Sequence, residues 1–170
     1  MFFKERSTQA EYFDAPRSLN EVVQFFESLD WVNRVFAFAN PFQRTLPKLF
    51  EPNECRRLTF LDLGAGNGSL GVQLMKWAAA RNWTWAFVHL DSNSEALRLG
   101  KGTRVAASAT ALPFADESID VVIASQMTHH LTDPEVCRHL KEAWRVARQA
   151  VVLCDLYRSP LLYGVLWLVL

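Results

Sequence analysis

The spacing of apolar residues changes partway along this chain. From residue 18 to about residue 50 they recur at steps of three and four: Val22, Phe25, Phe26 and Leu29, then Trp31, Val32, Val35, Phe36 and Phe38. Past Pro41 the same spacing continues through Phe42, Leu46, Leu49 and Phe50. This is the pattern of helices that each bury one stripe. Ser18-Leu19-Asn20-Glu21 has the form of a capping box, with Ser in front and Glu three residues later, so a helix is predicted to open there. A second helix is predicted to carry Trp31 to Phe38, with a further helical stretch after Pro41.

Beyond residue 57, short apolar runs alternate with helical patterns. The runs at 58–63, 83–90, 104–106, 119–124 and 150–155 read as strands, and 69–81 and 95–99 read as helices between them. Thr132-Asp133-Pro134-Glu135 opens a last helix: it offers capping oxygens, Pro in the first turn and an acid to complement the dipole. Its inner stripe is predicted as Val136, Leu140, Ala143 and Ala147. Residues 119–124 are almost wholly apolar, as in a strand covered on both faces of a parallel sheet. The alternation predicts an α/β fold, a Rossmann-like doubly wound and mostly parallel sheet with helices on both faces. Residues 1–55 form its N-terminal helical extension, expected as a cap or lid, and residues 56–170 the sheet domain. Such sheets bind ligands outside the carboxyl ends of their strands, where strand order reverses. Asp62, Asp91, Ser125 and Asp155 all stand at or near strand ends, and Asp155, without chemical neighbours in the sequence, is assigned a structural role.

Composition narrows the partners. The 18 basic side chains balance the 18 acidic ones, so net charge gives no reason to expect nucleic acid. No run approaches the ~18 apolar residues of a membrane span, and the first residues lack a signal peptide's apolar centre. Cys55, Cys137 and Cys154 form no C-x-x-C pair and fit reduced thiols in a cytoplasmic protein. His89, His129, His130 and His139 make no metal-ligand pattern, so no metal is expected.

The candidate chemistry centres on Phe60 to Gly71, FLDLGAGNGSLG, which holds two overlapping glycine patterns. Gly64, Gly66 and Gly68 follow the acidic strand end Leu61-Asp62-Leu63, which suits a nucleoside held near a carboxylate. Gly66, Gly68 and Gly71 also spell the dinucleotide fingerprint. Glycines let a ligand approach the main chain, and the free N–H groups of the helix that follows suit phosphate, carboxylate or ribose alike. Asp62 would repel a pyrophosphate, and Gly64, not Gly66, closes the strand; both count against the dinucleotide. Asp91 can accept both ribose hydroxyls, a device common to both readings.

The segment Ser108-Ala109-Thr110-Ala111-Leu112-Pro113-Phe114, followed by Ser118-Ile119-Asp120, separates the two. Together with the acidic strand, the Gly64-x-Gly66-x-Gly68 turn and Asp91, it resembles the class I S-adenosylmethionine-dependent methyltransferases over roughly residues 58–155. Ser125-Gln126-Met127-Thr128-His129-His130-Leu131 is similar to the small-molecule branch, including quinone-biosynthesis methyltransferases. The resemblance implies S-adenosyl-L-methionine as cofactor and a small, aromatic or lipophilic methyl acceptor. By it, Gly64, Ala65, Gly66 and Gly68 pack against the cofactor's amino-acid and ribose parts. Asp62 orients the turn and favours the positive charge, and Asp91, with Ser92 beside it, holds the ribose. Ser108 and Ala109 lie beside adenine, Ser125 borders the methyl donor, and His129 or His130 is the candidate base.

Two departures from the family pattern stand out. Ser108 replaces the usual Asp and loses charge assistance to the adenine amino group. The chain also reaches only five of the usual seven strands, which leaves strand five as an edge. A truncation, or a partner or second copy covering that strand, is expected, and 161–170 reads as a core or interface helix. The alternatives are an NAD(P)-dependent oxidoreductase and a methyltransferase-like module without catalytic activity.

Overall fold

Five strands make one parallel sheet in the computed structural model, which describes residues 18–51, 53–54 and 57–155. They are β1 (Arg57–Leu63), β2 (Thr84–Asp91), β3 (Thr103–Ala106), β4 (Ile119–Ser125) and β5 (Ala147–Cys154), in the order β3-β2-β1-β4-β5. The helices are α1 (Leu19–Val35), α2 (Asn40–Thr45), α3 (Ser69–Ala79), α4 (Ser94–Leu99) and α5 (Asp133–Val146). Leu19–Asp155 form one compact unit. The chain leaves β1 towards β2 on one side and returns to place β4 on the other, so strand order reverses between β1 and β4. This is the doubly wound sheet read from the alternation, with the crevice at the carboxyl ends of β1 and β4. The helix expected over 161–170 lies outside the described residues, as does Cys55.

Each face of the sheet buries its own core. On one face Phe60, Trp85, Phe87, Val121 and Ile123 pack with Leu74 and Ala78 of α3 and Phe42 and Leu46 of the α2 region. On the other, Leu61, Leu63, Leu90, Val122 and Ala124 pack with Leu112 and with Ala143 and Val146 of α5. Alternate residues of β1 and β4 thus serve opposite faces, as the period of two requires.

Three elements differ from the expectation. The two helices predicted before Pro41 are one, α1, because nothing between Leu29 and Trp31 interrupts the backbone ladder. It ends where Ala37 enters the left-handed region at φ +53. The Phe38 N–H then donates to Asn33 O and the Ala37 N–H to Arg34 O, which satisfies the last carbonyls. In α5 the buried stripe is His139, Ala143 and Val146, while Leu140 is 40% exposed. The buried histidine displaced the stripe that apolar residues alone suggested. β5 accordingly starts at Ala147, three residues earlier than expected, and pairs with β4 alone among the described residues. The capping box at the start of α5 is present: the Thr132 amide and hydroxyl both donate to Glu135, at 2.9 and 2.6 Å.

Candidate functional site

The turn after β1 is built from backbone that only glycine adopts readily. Gly64, Gly66 and Gly68 have φ of +67, +55 and +76. The turn is tied to the end of β2 by the Ala65 N–H, which donates to Leu90 O at 3.0 Å, and by the Gly66 N–H, which donates to Asp91 Oδ2 at 2.8 Å. The other oxygen of Asp91 accepts the Asn93 N–H at 2.8 Å. Asn93 in turn caps α4 through the Glu95 and Ala96 amides. The half-buried Asp91 carboxylate is thus locked in place with one bond on each oxygen. A carboxylate has roughly four lone-pair positions, so acceptor capacity remains for hydroxyl groups. Ser92, beside it, is exposed.

Beneath the turn lies a polar pair. Asp62 and His89 are each 1% exposed and meet at 3.4 Å between Oδ2 and Nδ1. Burial pushes the Asp62 carboxyl above its ordinary value, and the bond to His89 opposes that shift. A Cβ on Gly68 would stand 3.0 Å from the His89 ring, and one on Gly71 only 2.4 Å from it and 2.9 Å from Phe87. Gly71 therefore serves the packing of α3 onto His89. His89, which the sequence set apart from the candidate site, is the floor on which the turn rests.

Above the turn lies α1. A Cβ on Gly66 would meet Phe26 Cε1 at 2.5 Å, and one on Gly64 would meet Met127 Cγ at 2.3 Å. The Asn67 amide donates to Asp30 Oδ2 at 2.9 Å, while Asp30 Oδ1 is buried without a donor among the described residues. Phe26 and Asp30 stand four residues apart and so share one helix face.

The segment 107–116 runs along the other sheet face. The Ala107 N–H donates to Asp91 O, and Ser108 Oγ is engaged in its own turn, 2.8 Å from Thr110 Oγ1 and accepting the Thr110 N–H. The buried His139 donates from Nδ1 to Ala109 O at 3.3 Å, and burial holds its imidazole below the ordinary value, in the neutral form. Arg145 fastens the rest, donating to the carbonyls of Leu112 and Phe114 and to Asp116, and doubly to Glu142. Glu142 also accepts the Leu112 N–H, and the Arg145 guanidinium holds its carboxyl down at about 2.

Past β4 the chain turns sharply. Ser125 follows the Leu63–Ala124 pair, and Gln126 takes φ +52 while its N–H donates to Cys154 O. Met127 then covers Gly64, and Thr128–His130 form a single 3₁₀ turn. Asp155, just past β5, accepts the His129 N–H on Oδ2 at 3.0 Å and meets the His129 ring Nδ1 with Oδ1 at 2.6 Å. Asp155, which showed no chemical neighbours in the sequence, is therefore paired with His129. The His130 ring packs on His129 with centroids 4.3 Å apart and is the more exposed of the two. Among the described residues, no group of three or more His, Cys, Asp and Glu could hold a metal, and no helix is long and apolar enough to cross a membrane.

The profile of the methyltransferase domain family matches residues 61–154, from β1 to the end of β5. The chain belongs to this family. Within it, the demethylmenaquinone methyltransferase of Roseiflexus sp. (strain RS-1) is 26% identical over 94% of this chain and 67% of its own length. That of Roseiflexus castenholzii is 33% identical over 59% of this chain. The chain spans only 42% of the latter relative's length. A solved SAM-dependent methyltransferase from Aquifex aeolicus superimposes with a TM-score of 0.55 at 19% identity, covering 78% of this chain and 69% of its own, and shares the fold. The methyltransferase family implies S-adenosylmethionine as cofactor.

The residues of this methyltransferase domain fit that group. The left-handed glycine turn lies at the carboxyl end of β1, with Met127 over Gly64 and Phe26 over Gly66. The Asp91 carboxylate keeps acceptor capacity, and the unpaired Asp30 Oδ1 is an anionic oxygen beside the turn, suited to an ammonium group. Sequence reasoning did not place Phe26, Asp30 and His89 beside the turn. Met127, in the stretch Ser125–Leu131, and Asp155, an acid at a strand's end, carried a signal.

Proposed function

We propose that this chain transfers a methyl group from S-adenosylmethionine to a small aromatic or lipophilic molecule. The observation that carries this reading is the left-handed glycine turn clamped to Asp91 at the carboxyl ends of β1 and β2. When bound, S-adenosylmethionine supplies a methyl group on a sulfonium, already a good leaving group, so the protein's part is positioning and desolvation. In this reading Gly64, Ala65, Gly66 and Gly68 seat the amino-acid part, Asp91 and Ser92 take the ribose, and Ser108 and Ala109 border the adenine. Asp62 acts through the turn: buried on His89, it supports the backbone above it. Ser125 and Met127 border the methyl group, and Phe26 and Met127 offer an apolar surface to the acceptor. The relatives named for demethylmenaquinone support an aromatic, lipophilic acceptor. The dinucleotide alternative loses its third glycine, because Gly71 is buried against His89 and Phe87.

Calorimetry with S-adenosylmethionine, S-adenosylhomocysteine and NAD tests the proposal. S-adenosylhomocysteine is expected to bind and NAD is not; binding of NAD alone would overturn the reading. Asp91→Ala should weaken S-adenosylhomocysteine by about 1.5–3 kcal/mol, the worth of hydrogen bonds to a charged group. An unchanged affinity would place the ribose elsewhere.

A further inference from the structure

The charges of the chain balance as a whole but not locally. Residues 31–50 contain no Asp or Glu and three cations, Arg34, Arg44 and Lys48. All three are exposed, and among the described residues no carboxylate pairs with any of them. Acids resume on either side, at Glu27 and Asp30 before and at Glu51 and Glu54 after. The same stretch leaves large apolar side chains in water: Trp31, Val35 and Leu49 are 50%, 55% and 47% exposed. The core does not use them; it takes Phe42 and Leu46 from the same stretch.

Geometry gives α1 two distinct faces. Phe26 lies over Gly66 and Asp30 holds Asn67, so one face covers the glycine turn. Trp31 and Val35 stand about 140° and 180° round the helix from Phe26, on the face turned away. Arg34 sits beside them, its Nε donating to Asp30 O at 3.1 Å, a bond that leaves its charge uncompensated. The backbone then folds onto the last turn of α1 at Phe36–Phe38 and runs directly into α2. Arg44 lies in the last turn of α2, and Lys48 ends the 3₁₀ turn Leu46–Lys48 that follows. An exposed Trp among aliphatic side chains, with cations and no acids, is the composition of a segment lying in a lipid–water interface. A nucleic acid would be drawn by the cations but would gain nothing from Val35 and Leu49.

We propose that the outer face of α1 and the turns after it, residues 31–49, dock on the surface of an anionic lipid bilayer. Trp31, Val35 and Leu49 enter the headgroup boundary, and Arg34, Arg44 and Lys48 face the lipid phosphates. The contact is with the surface, since among the described residues no helix is long and apolar enough to cross. Docking does not depend on the methyl-transfer reading. Joined to that reading, it sets the crevice, covered by the inner face of the same helix, beside the phase in which a lipophilic acceptor dissolves.

The test is co-sedimentation of the full chain with vesicles of equal parts phosphatidylcholine and phosphatidylglycerol, beside vesicles of phosphatidylcholine alone. Binding is expected to the first at low salt, weakening as salt rises, and far less to the second. Each cation near an anionic surface is worth about fivefold in partition. The joint substitution Arg34→Gln, Arg44→Gln and Lys48→Gln should therefore lower partition about 10²-fold, and Trp31→Ala about tenfold. Trp144→Ala is the control. Trp144 is 72% exposed, but its helix balances Asp133, Glu135 and Glu142 against Arg138, Lys141 and Arg145, so its loss should leave binding unchanged. Thermal melting should be the same in every variant, so that lost binding is not lost folding. Lipid with brominated acyl chains should quench tryptophan emission, and Trp31→Phe should remove most of that quenching. Equal binding to neutral vesicles, or full binding by the triple variant or by Trp31→Ala, would overturn the proposal. So would no vesicle binding, loss of binding in Trp144→Ala alone, or binding to a single-stranded DNA oligonucleotide in place of vesicles. Failure to bind S-adenosylhomocysteine would sink the methyl-transfer reading and leave the vesicle result standing, which separates the two failures.

Discussion

The two sides of the crevice are held in place by different means. On the β1–β2 side, main chain and close packing set every position: three left-handed glycines, backbone N–H groups on Asp91, and a buried His89 filling the space that Gly68 and Gly71 leave. On the β4–β5 side, charged side chains reach across the fold: Asp155 to His129, and Arg145 with Glu142 to the segment 112–116. The first arrangement tolerates almost no added atom. The second tolerates substitution of shape but depends on ionisation. In the proposed reading the side that seats the cofactor is the rigid one, and the side offered to the acceptor is held by side chains.

The hardest way to break the β1–β2 side is to remove its floor. His89→Ala would leave Asp62 buried without its partner and open a cavity under the turn. Removing a large buried side chain and a hydrogen-bond partner costs about 2–5 kcal/mol. Chemical denaturation should show a loss of that size, together with weaker binding of S-adenosylhomocysteine as the turn loosens. A variant as stable as the parent would mean that the glycine turn holds itself.

The contrast also explains which parts were legible in the sequence. Glycines and strand-end acids are local marks: Gly64, Gly66, Gly68 and Asp91 have their conformation or partner within a few residues of a strand end, so order and spacing revealed the turn. The sheet was legible for a similar reason, since 119–124 is apolar on both faces and the helices between strands show their period. His89 was not, because a histidine in an apolar strand looks like a polar interruption until its neighbours are seen to be Asp62 and two glycines. The partnership of Asp155 with His129 depends on β4 and β5 lying side by side, a fact of topology that no spacing encodes. Leu140 misled in the opposite sense, because the stripe of α5 includes the buried His139.

A finer probe of the same packing is Gly71→Ala. Helix propensity favours the change, and Gly71 does not need a left-handed backbone, so only space opposes it. The new Cβ would stand 2.4 Å from the His89 ring, which Asp62 restrains, and 2.9 Å from Phe87, which is stacked on Phe60. Overpacking of this kind costs about 1–3 kcal/mol. The expected result is a lower melting temperature with S-adenosylhomocysteine affinity nearly kept, since Gly71 packs α3 and does not face the ligand. Affinity lost without any loss of stability would instead return Gly71 to the ligand site.

The β4–β5 side should respond to acid through Glu142. Arg145 holds the Glu142 carboxyl at about 2 in the folded chain, below the ordinary 4.5. A depressed carboxyl contributes its stability in full above the unfolded value of 4.5, and loses it as pH falls towards 2. The Arg145–Glu142 pair is partly exposed, at 31% and 23%, so the contribution is modest, about 1 kcal/mol or less, as for other ion pairs near the surface. Glu142→Gln should therefore flatten the pH dependence of stability across that window and slightly lower stability at neutral pH. Hydrogen exchange makes the test specific to one side. On acidification towards 2 the Leu112 amide, which donates to Glu142 at 2.8 Å, should lose protection, and Glu142→Gln should remove that acid dependence.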